Sequence, residues 1–107
     1  MATKILPAAR ARILEIWEYT EKKWGEAQAD GYVRGLVDAI HGLSHERRRW
    51  KPVRDESLTG LFFFRHRHHY IFFRELSPDT LGIISILHEN MDLPSRLKED
   101  AGQKENE

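Results

Sequence analysis

Residues 61–87 have the sequence LFFFRHRHHYIFFRELSPDTLGIISIL, and they contain all five phenylalanines of the chain. Aromatic and β-branched residues, which favour strands, concentrate in three segments, 61–66, 69–76 and 81–87. Short polar turn sequences separate these segments, Arg67-His68 first and Ser77-Pro78-Asp79 second. Because strands joined by short turns lie antiparallel, the stretch predicts a three-stranded antiparallel meander.

The residues before the meander predict one strand and two helices. Lys4-Ile5-Leu6 is a short extended segment, and Pro7 suits the first helical position because its missing N–H has no partner there. Apolar residues at helical spacing continue to Trp24, and Gly25 is expected to end this helix with a left-handed backbone. A second apolar stripe predicts a helix over residues 26–44. The predicted fold is α+β with the order β-α-α-β-β-β, a helical hairpin packed on a small, mostly antiparallel sheet whose other face is partly exposed.

The length and composition indicate one small domain. The chain has 107 residues, of which 40% are hydrophobic, and we expect residues 1–97 to form a single domain. The last segment, KEDAGQKENE at 98–107, is polar and predicts a disordered tail. The sequence has neither a long apolar segment nor a signal-peptide core, so we expect no membrane association and a cytoplasmic location.

The charge is balanced overall but unevenly distributed. Residues 41–75 hold eight Lys/Arg and four Asp/Glu, whereas residues 76–107 hold three and seven. A basic run with one tryptophan, Arg47 to Arg54, precedes the meander, and Arg65, Arg67 and Arg74 follow. This pattern is compatible with a solvated surface, an acidic protein partner, or a phosphate backbone with stacked bases.

The histidines do not predict a metal site. The chain has no cysteine, and a tight turn at 67–68 would prevent His66 and His68 from sharing one face of a strand. His88 is the one plausible further ligand from another strand. We therefore expect no metal and no cofactor.

Three stretches resemble the ParE branch of the RelE/ParE toxin superfamily. They are LPAARARILEIWEYTEKKWGEAQADGYV at 6–33, KPVRDESLTGLFFFR at 51–65 with HYIFFR at 69–74, and ILHENMDLPSRL at 86–97. The resemblance covers about residues 4–97. It implies a toxin that inhibits DNA gyrase and is neutralised by a ParD-type ribbon-helix-helix antitoxin, which alone contacts operator DNA.

The resemblance also suggests which residues contact each partner. It places antitoxin binding on the helical hairpin, with the candidates Trp17, Tyr19, Trp24, Tyr32 and Leu36. The candidates for target binding lie on the sheet and its end, and they are Arg65, Arg67, His68, Arg74, His88, Glu89 and Met91.

Two alternatives stay open. A ribosome-dependent mRNA endoribonuclease of RelE type would need a base, a cation and an acid near the phosphate, and it would use Arg65, Tyr70, Arg74 and His88. The RelE catalytic set does not map onto this sequence one by one, so we expect a binding protein rather than an enzyme. The other alternative is an inactive relative that only binds antitoxin. Arg67 replaces the usual turn glycine, and Gly31 and Gly35 replace longer side chains.

Overall fold

A computed structural model describes residues 1–102 of the chain. The main elements follow in the order β1 (Ala2–Ile5), α1 (Pro7–Trp24), α2 (Glu26–His41), β2 (Lys51–Pro52), β3 (Phe62–His66), β4 (His69–Ser77), β5 (Thr80–His88) and α3 (Leu93–Ala101). The α+β class and the six predicted elements are confirmed. The structure adds two elements that were not predicted, the short edge strand β2 and the terminal helix α3.

The five strands form one sheet in the order β1-β5-β4-β3-β2. The strand β1 pairs parallel to β5, and the other neighbours are antiparallel. The pairing between β4 and β5 shifts by one residue between Phe72 and Phe73, so that Phe72 faces Ser85 and Phe73 faces Ile83. The meander predicted from residues 61–87 therefore forms the three central strands of the sheet, between the edge strands β1 and β2.

The helical hairpin forms as predicted, although α2 is shorter than expected. Gly25 separates the two helices with a φ of 94°, in the region that favours glycine. The helix α2 ends at His41 rather than at residue 44 because a 3-10 turn begins at Leu43. Gly31 and Gly35 face open space or ordinary contacts, so no other backbone approaches them closely within residues 1–102.

Two hydrophobic clusters lie on opposite faces of the sheet. The helical hairpin and the first face enclose a cluster that includes Leu36, Ile40, Leu43, Ile71, Phe73 and Ile83. The second face carries Leu58, Leu61, Phe72, Ile84, Leu87 and Leu97. We expected this second face to be partly exposed, but α3 packs on it and shields much of its apolar surface.

A buried ion pair fixes α3 to the rest of the domain. The Arg12 guanidinium donates from Nε to Asp100 Oδ2 at 2.9 Å and from Nη2 to Oδ1 at 3.1 Å. The Ser85 hydroxyl donates to Asp100 Oδ2 at 2.5 Å, and Asp100 is only 4% exposed. The hydrogen bond to Asp100 raises the pKa of Arg12.

This contact corrects the predicted disordered tail. Residues 98–101 belong to α3, and Asp100 is one of its buried side chains. The prediction relied on the polar composition of the tail, whereas the carboxylate is buried because Arg12 and Ser85 bind it. The part of the predicted tail at 103–107 lies outside the described residues.

The connection between α2 and β3, residues 45–57, contains short regular elements. It contains 3-10 turns at Arg47–Arg49 and Glu56–Leu58 with β2 between them. Trp50 fixes the first turn because its ring packs on Phe62 and Phe73, and its Nε1 donates to the Leu43 carbonyl at 2.8 Å. Within residues 1–102, no helix has the length and apolar character needed to cross a membrane.

Candidate binding site

The hairpin tip between β3 and β4 is a two-residue turn. His66 pairs with His69, which leaves Arg67 and His68 at the centre of the turn. Arg67 has a φ of 54°, and it is the one non-glycine residue with a positive φ among residues 1–102. Turns with positive φ at the first central position favour glycine there, so Arg67 occupies an unfavourable backbone conformation.

Glu89 connects this tip to the end of β5. Its carboxylate accepts from Arg65 Nη2 at 2.6 Å and contacts His68 Nδ1 at 2.7 Å. Arg65 also donates from Nε to the Arg67 carbonyl at 2.9 Å, and Glu89 N donates to the His68 carbonyl at 2.9 Å. The hydrogen bond from His68 lowers the pKa of Glu89, with a smaller effect from the charge of Arg65. The structure thus assembles four of the predicted target-binding residues into one hydrogen-bonded polar cluster.

A second polar contact lies on the helical side of the same tip. Tyr32 of α2 and His69 of β4 are hydrogen-bonded between the phenol oxygen and Nδ1 at 2.5 Å. Burial lowers the pKa of His69 to about 4, and the nearby His88, His68 and His66 reinforce this effect. Burial also raises the pKa of Tyr32. The hydrogen bond therefore joins a neutral His69 to a neutral Tyr32 hydroxyl.

A cleft of about 330 Å³ separates α1 from the end of β5. Arg12, Glu15, Ile16 and Tyr19 line one side, and His69, Ile86, His88, Asn90 and Met91 line the other. Tyr19 is 60% exposed, so its ring is accessible at the edge. The cleft brings one predicted antitoxin-binding residue beside two predicted target-binding residues, His88 and Met91.

Other predicted residues lie apart from these features. Arg74 pairs with Gly82, five residues along β4 from His69, and so does not join the cluster at the tip. Trp24 is 64% exposed at the end of α1, whereas Trp17 is half-buried and donates from Nε1 to Asp30 at 2.8 Å. Leu36 is fully buried in the first cluster, so the predicted contact with an antitoxin does not fit its position.

The structure does not assemble the residues of the nuclease alternative. Arg65 and Tyr70 are cross-strand neighbours, with the guanidinium 5.6 Å from the ring centroid. His88 lines the cleft on the helical side, whereas Tyr70 borders the pocket beneath α3 on the opposite face. Arg74 is four residues from Tyr70 on β4, a distance of about 13 Å along a strand.

The histidines are close to one another without forming a metal site. The rings of His69 and His88 meet edge to face with centroids 5.1 Å apart, and the rings of His68 and His88 stack at 6.2 Å. In the part of the chain that the structure describes, no three His, Asp or Glu side chains are arranged to hold a metal ion. The contact between Tyr32 and His69 was not predicted, since the two residues are 37 positions apart and no local spacing relates them.

Two solved structures share this fold. One is described as the chromosomal ParDE TA system from P. aeruginosa, and it matches with a TM-score of 0.69 at 18% identity over 82% of this chain and 95% of that one. The other is the toxin–antitoxin complex RelBE2 from Mycobacterium tuberculosis, with a TM-score of 0.62 at 22% identity over 81% and 95%. The fold is therefore one found in structures of toxin–antitoxin systems.

The amino-acid sequence narrows this class to one family. Residues 3–93 match the family described as ParE toxin of type II toxin-antitoxin system, parDE. Toxin ParE of Escherichia coli is 35% identical over 91% of this chain and 94% of its own length. Toxin ParE1 of Mycobacterium tuberculosis is 33% identical over 85% and 92%. The chain belongs to the ParE family of type II toxin–antitoxin toxins.

Proposed function

We propose that this ParE-family toxin acts in the cytoplasm by binding and inhibiting DNA gyrase, and that a ParD-type antitoxin neutralises it. The toxin acts through a binding surface rather than by catalysis. The observation that carries this proposal is the engagement of Arg65 and His68 with Glu89. Because Glu89 already pairs with both groups, the cation and the imidazole are directed at a carboxylate rather than at a phosphate, whereas a hydrogen-bonded polar cluster suits recognition of a protein surface.

The cleft beside α1 suggests how neutralisation works. Its walls combine the exposed ring of Tyr19 and the apolar Ile16 with the polar His88 and Asn90. An amphipathic antitoxin segment fits such a cleft, with its apolar side against α1 and its polar side near β5. A segment bound there would cover His88 and Met91 and would therefore block part of the proposed target surface.

Growth assays test whether the protein is an active toxin. Expression of the full chain alone is expected to arrest bacterial growth and to induce the DNA-damage response, and co-expression of its antitoxin should restore growth. Normal growth together with tight antitoxin binding would instead identify an inactive relative. The sequence departures at Arg67 and Gly35 make this control necessary.

Purified components separate the proposed target from the nuclease alternative. Gyrase supercoiling activity should fall when the toxin is added and recover when antitoxin is present. Messenger RNA mixed with ribosomes and the toxin should remain intact. Codon-dependent cleavage with unaffected gyrase would contradict the proposal.

A further inference from the structure

A basic groove lies along the outer part of β3, away from the cleft and from the helical hairpin. It has a volume of about 390 Å³. It is lined by four cations and three aromatic rings, Arg48, Arg49, Lys51, Arg65, Phe63, Phe64 and Tyr70. We propose that this basic groove binds single-stranded nucleic acid, with phosphates on Arg48, Arg49 and Lys51 and a base against the rings.

The positive charge of the groove is largely uncompensated. Arg48, Arg49 and Lys51 are exposed, and none forms an ion pair with a carboxylate within residues 1–102. No acidic side chain lines the groove. Two of these three cations are arginines, whose planar guanidinium matches the oxygens of a phosphate. The fourth cation, Arg65, is already paired with Glu89. A ligand rich in phosphate groups therefore complements this surface.

The cations are attached to fixed parts of the fold. Trp50 anchors the 3-10 turn that carries Arg48 and Arg49, as described above. The Arg49 guanidinium lies 4.5 Å from the centroid of the Phe64 ring. Arg65 is held by Glu89, with 2.6 Å between Arg65 Nη2 and Glu89 Oε1. Because the backbone that carries these cations is fixed and Arg49 already packs on Phe64, less conformational entropy is lost when a ligand is bound.

The aromatic rings favour a single strand over a duplex. Phe63 and Tyr70 meet edge to face with centroids 5.8 Å apart, and both are only partly buried. The same two rings also line the apolar pocket of about 340 Å³ beneath α3. A single strand can place an unpaired base against these rings, whereas a duplex keeps its bases stacked inside. An acidic peptide would use the cations alone, and it is the competing occupant.

Anisotropy of a labelled oligonucleotide tests the proposal with the full-length protein. Short oligothymidylate and oligouridylate probes show whether the groove prefers DNA or RNA. A duplex of the same length and oligoglutamate serve as competitors. We expect the association constant to fall as the salt concentration rises. A plot of its logarithm against the logarithm of the salt concentration should have a slope of about −2, as for three phosphate contacts on a single strand. Absence of binding at low salt, or stronger competition by the duplex or by oligoglutamate, would overturn the proposal.

Substitutions locate the binding to the groove. The double variant R48E/K51E should weaken binding by about tenfold or more and reduce the salt slope. The double variant K22E/R34E changes the net charge equally on the exposed helical surface and should bind like the unmodified protein. Tyr70→Leu should weaken binding severalfold while Tyr70→Phe retains it, with thermal unfolding confirming that both fold. Equal binding by R48E/K51E and K22E/R34E, or by Tyr70→Leu and Tyr70→Phe, would overturn the proposal.

Discussion

At the scale of single residues, the hairpin tip combines an unfavourable backbone with a buried titratable group. Arg67 has a left-handed φ, which L residues other than glycine adopt at a cost of about 1–2 kcal/mol. His69 lies two residues further on and is buried as a neutral imidazole against Tyr32. The backbone of Arg67 lowers the stability of the fold, and the burial of His69 lowers it in acid. Both features lie at the tip that we propose for target binding.

The backbone effect predicts that Arg67→Gly stabilises the protein by about 0.5–1 kcal/mol, since glycine removes the steric cost but adds entropy to the unfolded chain. Urea unfolding measures the change. Arg67→Ala is the matched control because it also removes the guanidinium but keeps the unfavourable conformation. If both variants have the same stability, the backbone of Arg67 is not the cause.

The burial of His69 predicts a loss of stability in acid. Its folded pKa, about 4, lies below the ordinary value of 6.5, so between these pH values the unfolded chain binds more protons than the folded one. Stability from this group should therefore fall as the pH decreases from 6.5 to about 4, by up to about 3 kcal/mol, and change little below that range.

Unfolding curves across this pH range for the unmodified protein and for His69→Phe test this expectation. In His69→Phe, the decrease in the free energy of unfolding between pH 6.5 and about 4 should disappear. His41→Asn, on the exposed end of α2, should retain it. An unchanged pH dependence in His69→Phe would show that another group is responsible.

At the scale of elements, α3 is the part of the fold held by the most specific contact. The ion pair between Arg12 and Asp100 is buried, and Ser85 binds the same carboxylate. The exposed pair between Arg96 and Glu99 on the same helix joins atoms 3.6 Å apart, and such surface pairs contribute little. Two adjacent acidic residues of one helix thus differ sharply in their energetic role.

This difference predicts that Asp100→Asn destabilises the protein by about 1.5–3 kcal/mol, because the charge-assisted bonds between Arg12 and a buried carboxylate are lost and Arg12 keeps only the exposed Glu15 as a partner. Glu99→Gln, the neighbouring control, should cost no more than about 0.5 kcal/mol. Thermal unfolding gives both values, and amide exchange in α3 shows whether the helix detaches. Equal effects of the two substitutions would contradict the role assigned to Asp100.

At the scale of the whole molecule, the two proposed protein-binding surfaces overlap in part. The cleft beside α1 contains Tyr19 together with His88 and Met91, whereas the turn at Arg67 lies beyond it. The basic groove lies along β3, two strands away from β5, which borders the cleft. On the proposed assignment, the domain separates an outer target surface from a cleft that both protein partners share.

This arrangement predicts different effects for substitutions at the two places. His88→Glu in the cleft should reduce both antitoxin affinity and toxicity, because the residue belongs to the shared surface. Arg67→Glu at the tip should reduce toxicity while antitoxin affinity stays within about twofold, a difference of less than 0.5 kcal/mol. Calorimetry with purified antitoxin and growth assays measure the two properties. Equal loss of antitoxin affinity in both variants would contradict the separation.

The sequence by itself determined the helical hairpin, the meander and the turn at Arg67-His68, because these features depend on periodicity and on the conformations open to glycine and proline. It also supplied the family, through stretches spread along most of the chain. Local patterns placed Arg65, His68 and Glu89 among the candidates, but they did not show that Glu89 binds both other side chains.

Only the tertiary structure decided which side chains meet. The polar residues near the C-terminus predicted disorder, yet Asp100 is buried since Arg12, 88 positions earlier, neutralises it. Leu36 and Tyr19 both appeared suited to contact a partner, but the sheet buries the first and leaves the second exposed. Contacts between distant residues depend on how the elements pack, and no local spacing in a single sequence encodes that packing.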